Sequence, residues 1–309
     1  MKIFNSQIFV RTIAVLLSIT TICIAAVFGI SYYVGRELIG RKSISTFASK
    51  IDLCSYKTTE VTFKSSNEDL NLCGTLVTNG QPSNKTIILL HGYTDDRYMK
   101  GYLQILSDYF VKNKNFNIFS FDLRARGRSE GNATTVGYRE KYDVMGAIDY
   151  LKSQTIIGEK IVLFGFSMGA ATALETLSKE YRVDFTIADS PYRDLSLYLS
   201  ENLSYWSGLP NFPFNKSIPF VVSNVFKIDT HAVSAIRNLK EIDKPVLLIH
   251  GKDDIAVPYT NSVEIFNAME NNSKKDLWLT ENTQHIQSIL VYKDEYLEKV
   301  NSFINKNLE

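Results

Sequence analysis

Residues 161–171 read I-V-L-F-G-F-S-M-G-A-A: an apolar, β-branched run stops at G-F-S-M-G and resumes as small, helix-favouring residues. That is the pattern of a strand, a sharp turn and a helix. In this setting a G-x-S-x-G turn presents its serine on a strained corner, and Gly165 and Gly169 let neighbouring backbone come close. Ser167 is therefore the candidate nucleophile. The plainer alternative is a glycine-flanked turn whose serine caps the helix, and the flanking chain has to decide between them.

Residues 60–65 and 70–77 are rich in strand formers on either side of S-N-E-D, which predicts an antiparallel hairpin. Residues 86–90 (T-I-I-L-L) form a continuous apolar run of the kind buried on both faces, and lead straight into H-G-Y-T. A helix around 99–112 and a strand at 118–121 follow, then D-L-R-A-R-G-R-S-E-G. In 138–152, Val144, Ala147, Ile148 and Leu151 are spaced as on an amphipathic helix. Beyond the serine turn come strands at 185–188, 245–250 and 276–279, a helix at 261–269, and a last helix through Tyr296, Val300 and Phe303. Such alternation argues for a parallel sheet built from βαβ units. Between 192 and 231 the rhythm stops. Tyr192, Tyr198, Tyr205, Trp206, Phe212, Phe214, Phe220 and Phe226, with prolines at 210, 213 and 219, read as a cap inserted between core strands. Most of these rings are expected to pack, and an aromatic insertion at strand ends is where an apolar ligand would bind.

Residues 12–34 carry no charge and are long enough to cross a bilayer. A cleaved signal peptide has a shorter apolar region ending in a small-residue site, and Cys23-Ile24 ahead of Ala25-Ala26 spoils that signal. Tyr32-Tyr33 resembles an interfacial anchor. The reading is a tail at 1–11, an uncleaved transmembrane anchor at 12–34, a connector at 35–57 and a globular domain at 58–309. Lys2 and Arg11 nearly balance Arg36, Arg41 and Lys42 across the span; the short tail favours placing the domain outside the cytoplasm. A net charge of +1 without blocks of like charge speaks against nucleic acid as a partner. Cys23, Cys54 and Cys73 have no metal-site spacing, and a hairpin turning near Asn67 would not set Cys54 opposite Cys73. With no H-E-x-x-H and no phosphate loop, no cofactor is expected.

A serine hydroxyl needs a base in reach, and the base needs an orienting acid. Of four histidines, His91 and His250 close apolar strands ahead of glycine, where they suit shaping a loop, and His231 lies at the end of the cap. His285 sits in a polar loop between the last strand and last helix, so it is the expected base. The acid should follow a strand end between Ser167 and His285. Residues 250–258, H-G-K-D-D-I-A-V-P, offer Asp254, with adjacent Asp253 as the alternative and Asp189 as a weaker substitute. The oxyanion would be met by N–H groups of Met168, after the nucleophile, and Tyr93, after the third strand, with Gly92 permitting a tight approach.

Together, H-G-Y-T, D-L-R-A-R-G-R-S-E-G, G-F-S-M-G, A-D-S-P-Y, H-G-K-D-D-I-A-V-P and a late histidine resemble the α/β-hydrolase fold superfamily. More narrowly they are similar to bacterial serine hydrolases of the serine aminopeptidase-like type, many with an N-terminal membrane segment. The resemblance runs from about residue 58 to the C-terminus. It implies an α/β fold with a mostly parallel eight-stranded sheet, flanking helices and an inserted helical cap at about 192–231. It also implies catalytic Ser167, Asp254 and His285 with oxyanion donors Tyr93 and Met168; the H-G-x-x-D-x-x-V-P spacing selects Asp254. Asp122, Arg124 and Gly127 would brace the loop beneath the site. One departure is Gln284, where the family usually has a small residue before the histidine. The implied activity is hydrolysis of an ester or related acyl bond, with a small-molecule acyl substrate, through an acyl-enzyme. Peptide or thioester cleavage and acyl transfer are alternatives on the same fold, and a tethered non-catalytic binding module is the rival from another class.

Overall fold

The computed structural model describes residues 2–40, 51–154 and 158–308. Among them, β1 (Lys57–Lys64), β2 (Asn71–Thr78), β3 (Lys85–Leu90), β4 (Asn117–Phe121), β5 (Lys160–Phe166), β6 (Phe185–Asp189), β7 (Val246–Gly251) and β8 (Lys275–Thr280) form one sheet. Its order is β1-β2-β4-β3-β5-β6-β7-β8. β1 with β2 and β2 with β4 are antiparallel, and every later neighbour is parallel. The helices are α1 (Lys2–Ile39), α2 (Tyr102–Leu106), α3 (Lys112–Lys114), α4 (Glu140–Ser153), α5 (Met168–Leu177), α6 (Leu195–Ser207), α7 (Asn211–Asn224), α8 (Ala235–Asn238), α9 (Thr260–Ala268), α10 (Ser288–Val291) and α11 (Lys293–Leu308).

The uninterrupted apolar runs became the central strands, as burial on both faces requires: β4, β6 and β7 are buried at every position. Alternate residues of one strand serve opposite cores. Leu163 packs with Val144, Ile148 and Leu174 of α4 and α5, while Val162 and Phe164 pack with Leu103, Tyr296 and Val300 of α2 and α11. The helix expected at 99–112 is broken. A 3₁₀ turn at Met99–Gly101 carries Met99 and Lys100 at φ 48° and 51°, and a π-helical turn at Ser107–Val111 separates α2 from α3. The three cysteines are free thiols.

The chain divides into two compact units, one of Ile39–Tyr198 with Thr230–Glu309 and one of Met1–Leu38 with Leu199–Asp229. The first holds the sheet. In the second, α1 packs on α7: the Ser31 hydroxyl donates to Ser217 Oγ at 2.7 Å, and the Tyr32 and Phe226 rings lie 5.4 Å apart. A Cβ on Gly35 would sit 3.0 Å from the Phe226 ring, so glycine brings the helices together there. α1 is long and apolar enough to cross a membrane. It continues to Ile39, so the connector expected from residue 35 begins as helix, and its residues 41–50 lie outside the described residues.

Gly146 sets the spacing of α4 against the first hairpin, because a Cβ there would lie 2.1 Å from the Lys64 carbonyl oxygen. Gly146→Ala must push the helix away, at a cost of about 1–3 kcal/mol. The expected outcome is a lowered Tm in thermal melts of the detergent-solubilised protein; an unchanged Tm would mean that α4 can retreat without loss of packing.

Candidate active site

β5 ends at Phe166 and α5 starts at Met168, leaving Ser167 alone on the corner at φ 54°, ψ −116°. A non-glycine residue seldom adopts positive φ, so the surroundings must impose it. They do so by crowding. A Cβ on Gly165 would lie 2.2 Å from the Gly169 carbonyl oxygen, and one on Gly169 would lie 2.1 Å from that of Leu90. Both glycines are thus obligatory, as the sequence implied. The Ser167 N–H donates to the Asp189 carbonyl at 2.8 Å, and Ala171 N–H donates back to Ser167 O at 3.0 Å.

His285 follows β8 in a loop tied by the hydroxyls of Thr280, Thr283 and Ser288, with the Asp253 N–H donating to Thr283 O at 3.0 Å. Its Nε2 is 2.8 Å from Ser167 Oγ and its Nδ1 is 2.6 Å from Asp254 Oδ2. The three residues expected to work together therefore lie on one hydrogen-bonded line. Asp253 is exposed, whereas Asp254 is buried. Gln284 is exposed as well, so the departure from a small residue leaves the loop undisturbed.

Asp254 has more partners than the sequence suggested. Its Oδ1 accepts the Val257 N–H at 2.8 Å, and its Oδ2 also faces His250 Nε2 at 3.1 Å. Burial pushes this carboxyl up, but hydrogen bonds from His250 and then His285 more than offset it, leaving the group below its ordinary range. His250 Nε2 also faces the Val257 carbonyl at 2.8 Å, so with two acceptors before it that nitrogen carries the proton. The Ser262 hydroxyl, 2.7 Å from Nδ1, then donates to the ring. His250 thus does more than shape a loop, and its signal was the i, i+4 spacing to Asp254 on a turn.

His91 uses both ring nitrogens, Nδ1 with Gly92 O at 2.8 Å and Nε2 accepting from Leu123 N–H at 3.0 Å, and so locks two loops together. His231 is exposed on a 3₁₀ turn. The 91–93 loop lies beside the serine: a Cβ on Gly92 would be 3.6 Å from Ser167 Cβ. That is ordinary contact, so crowding by neighbouring protein atoms does not demand glycine at 92. The Tyr93 carbonyl accepts Arg126 Nε at 2.7 Å, and the guanidinium lies 5.1 Å from the Tyr93 ring. Met168 is the first residue of α5, where an N–H has no partner inside the helix. Bracing by the 122–131 loop is as read from sequence. Asp122 accepts backbone N–H groups of Arg97 and Arg128, each at 2.9 Å, Arg124 pairs with Asp143 at 2.7 Å, and Gly127 at φ 45° leaves no room for a Cβ beside the Asp122 carboxylate. Arg126, which carries the link to Tyr93, was missed.

Asp189 accepts Tyr296 OH and Ser190 Oγ, each at 2.8 Å, and holds Ser167 through its backbone carbonyl, with no hydrogen bond from its side chain to His285.

Residues 109–309 match the prolyl oligopeptidase family. The chain is 29% identical over 227 residues to the uncharacterized protein YqkD of Bacillus subtilis, covering 71% of each. It is 25% identical over 230 residues to the lysophosphatidylserine lipase ABHD12 of Mus musculus, covering 70% of this chain and 53% of that one. Among solved structures, the Pyrococcus furiosus esterase Pf2001 superposes with a TM-score of 0.71 at 27% identity, covering 88% of this chain and 99% of that one. The acylaminoacyl peptidase of Pyrococcus horikoshii shares the fold at 16% identity, with a TM-score of 0.62 over 84% of this chain and 43% of that one.

Burial pushes Asp189 from 3.8 up to about 6, against the hydroxyl donors of Tyr296 and Ser190. The folded state therefore keeps this proton where the unfolded chain has lost it. The resulting stability is complete below about pH 4 and is lost as pH rises to about 6, a span of roughly 3 kcal/mol. Asp189→Asn keeps an acceptor for Tyr296 but does not titrate. The Tm of the wild type minus that of the variant is expected to fall between pH 4.5 and 7.5; a constant difference would mean that Asp189 is ionised throughout.

Proposed function

The chain belongs to the prolyl oligopeptidase family, and from that premise we propose a serine hydrolase that cleaves carboxylic esters through an acyl-enzyme on Ser167. The observation carrying this reading is the line Ser167 Oγ, His285 Nε2, His285 Nδ1 and Asp254 Oδ2, with steps of 2.8 and 2.6 Å at its two hydrogen bonds. His285 Nε2 takes the hydroxyl proton as Oγ attacks the carbonyl carbon. Asp254, kept ionised by its N–H donors, holds the Nδ1 proton in place and stabilises the imidazolium that forms. The Met168 and Tyr93 N–H groups meet the oxyanion of the tetrahedral intermediate. Collapse expels the alcohol, which takes the proton back from Nε2. Water, deprotonated by the same nitrogen, then attacks the acyl-enzyme and frees the acid and Ser167.

Ester rather than peptide chemistry is favoured because the match to the Pyrococcus furiosus esterase spans 99% of that chain, against 43% for the acylaminoacyl peptidase. The lipase named among the relatives extends the reading to lipid-like esters. We read α1 as an uncleaved anchor, on its length and its exposed apolar surface, with the hydrolase domain outside the cytoplasm.

Assays of the full chain in detergent with p-nitrophenyl esters from acetate to palmitate test the reading. Ser167→Ala should lose turnover and fluorophosphonate labelling, and Asp254→Asn should lower kcat about ten-thousand-fold. Asp253→Asn should stay within about twofold, as for an exposed side chain outside the relay. Full activity of Asp254→Asn would sink the assignment of the acid, and peptide turnover exceeding ester turnover would move the activity to the peptidases.

A further inference from the structure

Within the unit formed by Met1–Leu38 and Leu199–Asp229, three levels of contact fix how α7 lies on α1. Val222 and Phe226 meet Gly35, Ser217 bonds Ser31, and Phe212 and Pro213 share a groove with Cys23, Ile24, Val27 and Phe28. α7 therefore runs parallel to α1, and the α6–α7 turn at 208–210 lies level with the middle of the apolar run 12–34. Counting from Tyr33, Cys23 to Phe28 lie about 8 to 15 Å further along the axis. If Tyr32 and Tyr33 mark a membrane interface, the groove falls inside a hydrocarbon layer whose half-thickness is about 15 Å.

The surface of the hairpin suits that depth. Phe212 is 81% exposed and Tyr205 52%, at the end that would be deepest. Lys216, next to Ser217, falls about three residues short of the Tyr33 level, a depth from which its long side chain can extend its amine to headgroup phosphates. The groove of about 380 Å³ is lined by Ile24, Val27, Phe28, Phe212, Pro213 and Phe220, with Cys23 and Ser217 the only heteroatom-bearing side chains. That volume is in the range of ligand sites, and its lining leaves almost nothing to satisfy water.

We propose that the α6–α7 hairpin enters the bilayer tip-first beside α1 and that the groove between α1 and α7 takes an acyl chain of a membrane lipid. The inference rests on α1 remaining as an anchor. It assigns the cap a function that cap helices folded only onto a soluble domain would not have: drawing on lipid already in the membrane.

The test uses the full chain, with Cys23, Cys54 and Cys73 replaced by alanine, in phosphatidylcholine vesicles containing bromine-labelled acyl chains. Bimane is placed on single cysteines at Phe212→Cys and Tyr205→Cys, at Ile19→Cys on the anchor, and at Tyr181→Cys on the sheet-bearing unit. Quenching at 212 and 205 is expected to lie within about twofold of that at 19 and at least fivefold above that at 181. If position 19 is quenched while 212 and 205 behave like 181, the hairpin stays out of the membrane and the proposal fails with the anchor intact. If position 19 is unquenched, the anchor and the proposal fail together. For the groove, a phosphatidylcholine with a diazirine in its acyl chain should label peptides containing residues 23–28 and 212–220. Ser217→Trp should reduce that labelling at least fivefold while quenching at Phe212→Cys persists. Label spread evenly along α1 and indifferent to Ser217→Trp would overturn the acyl-chain site.

Discussion

The left-handed backbone at Ser167 is the constraint on which the rest of the domain depends. A side chain held at φ 54° costs on the order of 1–3 kcal/mol and survives only where its neighbours over-determine it. Here the neighbours are backbone. β3 and β5 pair in parallel with Leu90 opposite Gly165, and α5 folds back so closely that Gly169 touches the carbonyls of Leu90 and His91. One contact therefore does two things: it imposes the corner, and it fixes the 91–93 loop beside the serine. The apolar strands on either side supply the rigidity that keeps the corner from relaxing.

Buried charge does the remaining positioning. The Arg124–Asp143 pair is almost wholly removed from water, as is the ring of N–H donors around Asp122. Such pairs add little net stability over an apolar core, but losing one partner costs about 3–5 kcal/mol, so they specify a geometry strongly. The geometry they specify is the 122–131 loop, whose Arg126 holds the Tyr93 carbonyl. Glu140 orders the adjoining segment in the same manner, accepting from Thr134, Thr135 and Gly137. The loops that follow β3 and β4 are thus held in part by side-chain to backbone hydrogen bonds.

Much of this was legible in the sequence because it is local. Periodicity gave the strands, and the spacing of glycine around Ser167 and the polar setting of His285 pointed to two residues of the hydrogen-bonded line. What escaped depends on which groups meet in space. The i, i+4 spacing in H-G-K-D-D allows the histidine to reach the second aspartate but does not say that its Nε2 turns there, and nothing says that Arg126 rather than Arg124 reaches the Tyr93 loop. The break of the 99–112 helix into 3₁₀, α and π turns escaped too; Gly101, at φ 101° ahead of α2, stands at the first break, while Leu103, Leu106 and Phe110 beyond it are buried in the core.

Asp189 and Asp254 illustrate why three aspartates could not be ranked by position alone. Both carboxylates are buried, Asp189 at the end of β6 and Asp254 just past β7. Their donors differ in kind. Asp189 receives two hydroxyls, which is too little to offset burial, and it holds its proton to about pH 6. Asp254 receives a backbone N–H and faces two imidazoles, groups able to carry positive charge, and lies below the ordinary carboxyl range. An anion beside His285 stabilises an imidazolium, whereas a neutral carboxylic acid would offer it no compensating charge. The difference between the two carboxyls therefore follows from their hydrogen-bond donors, and His250, by supplying one of them, helps to hold Asp254 ionised beside His285.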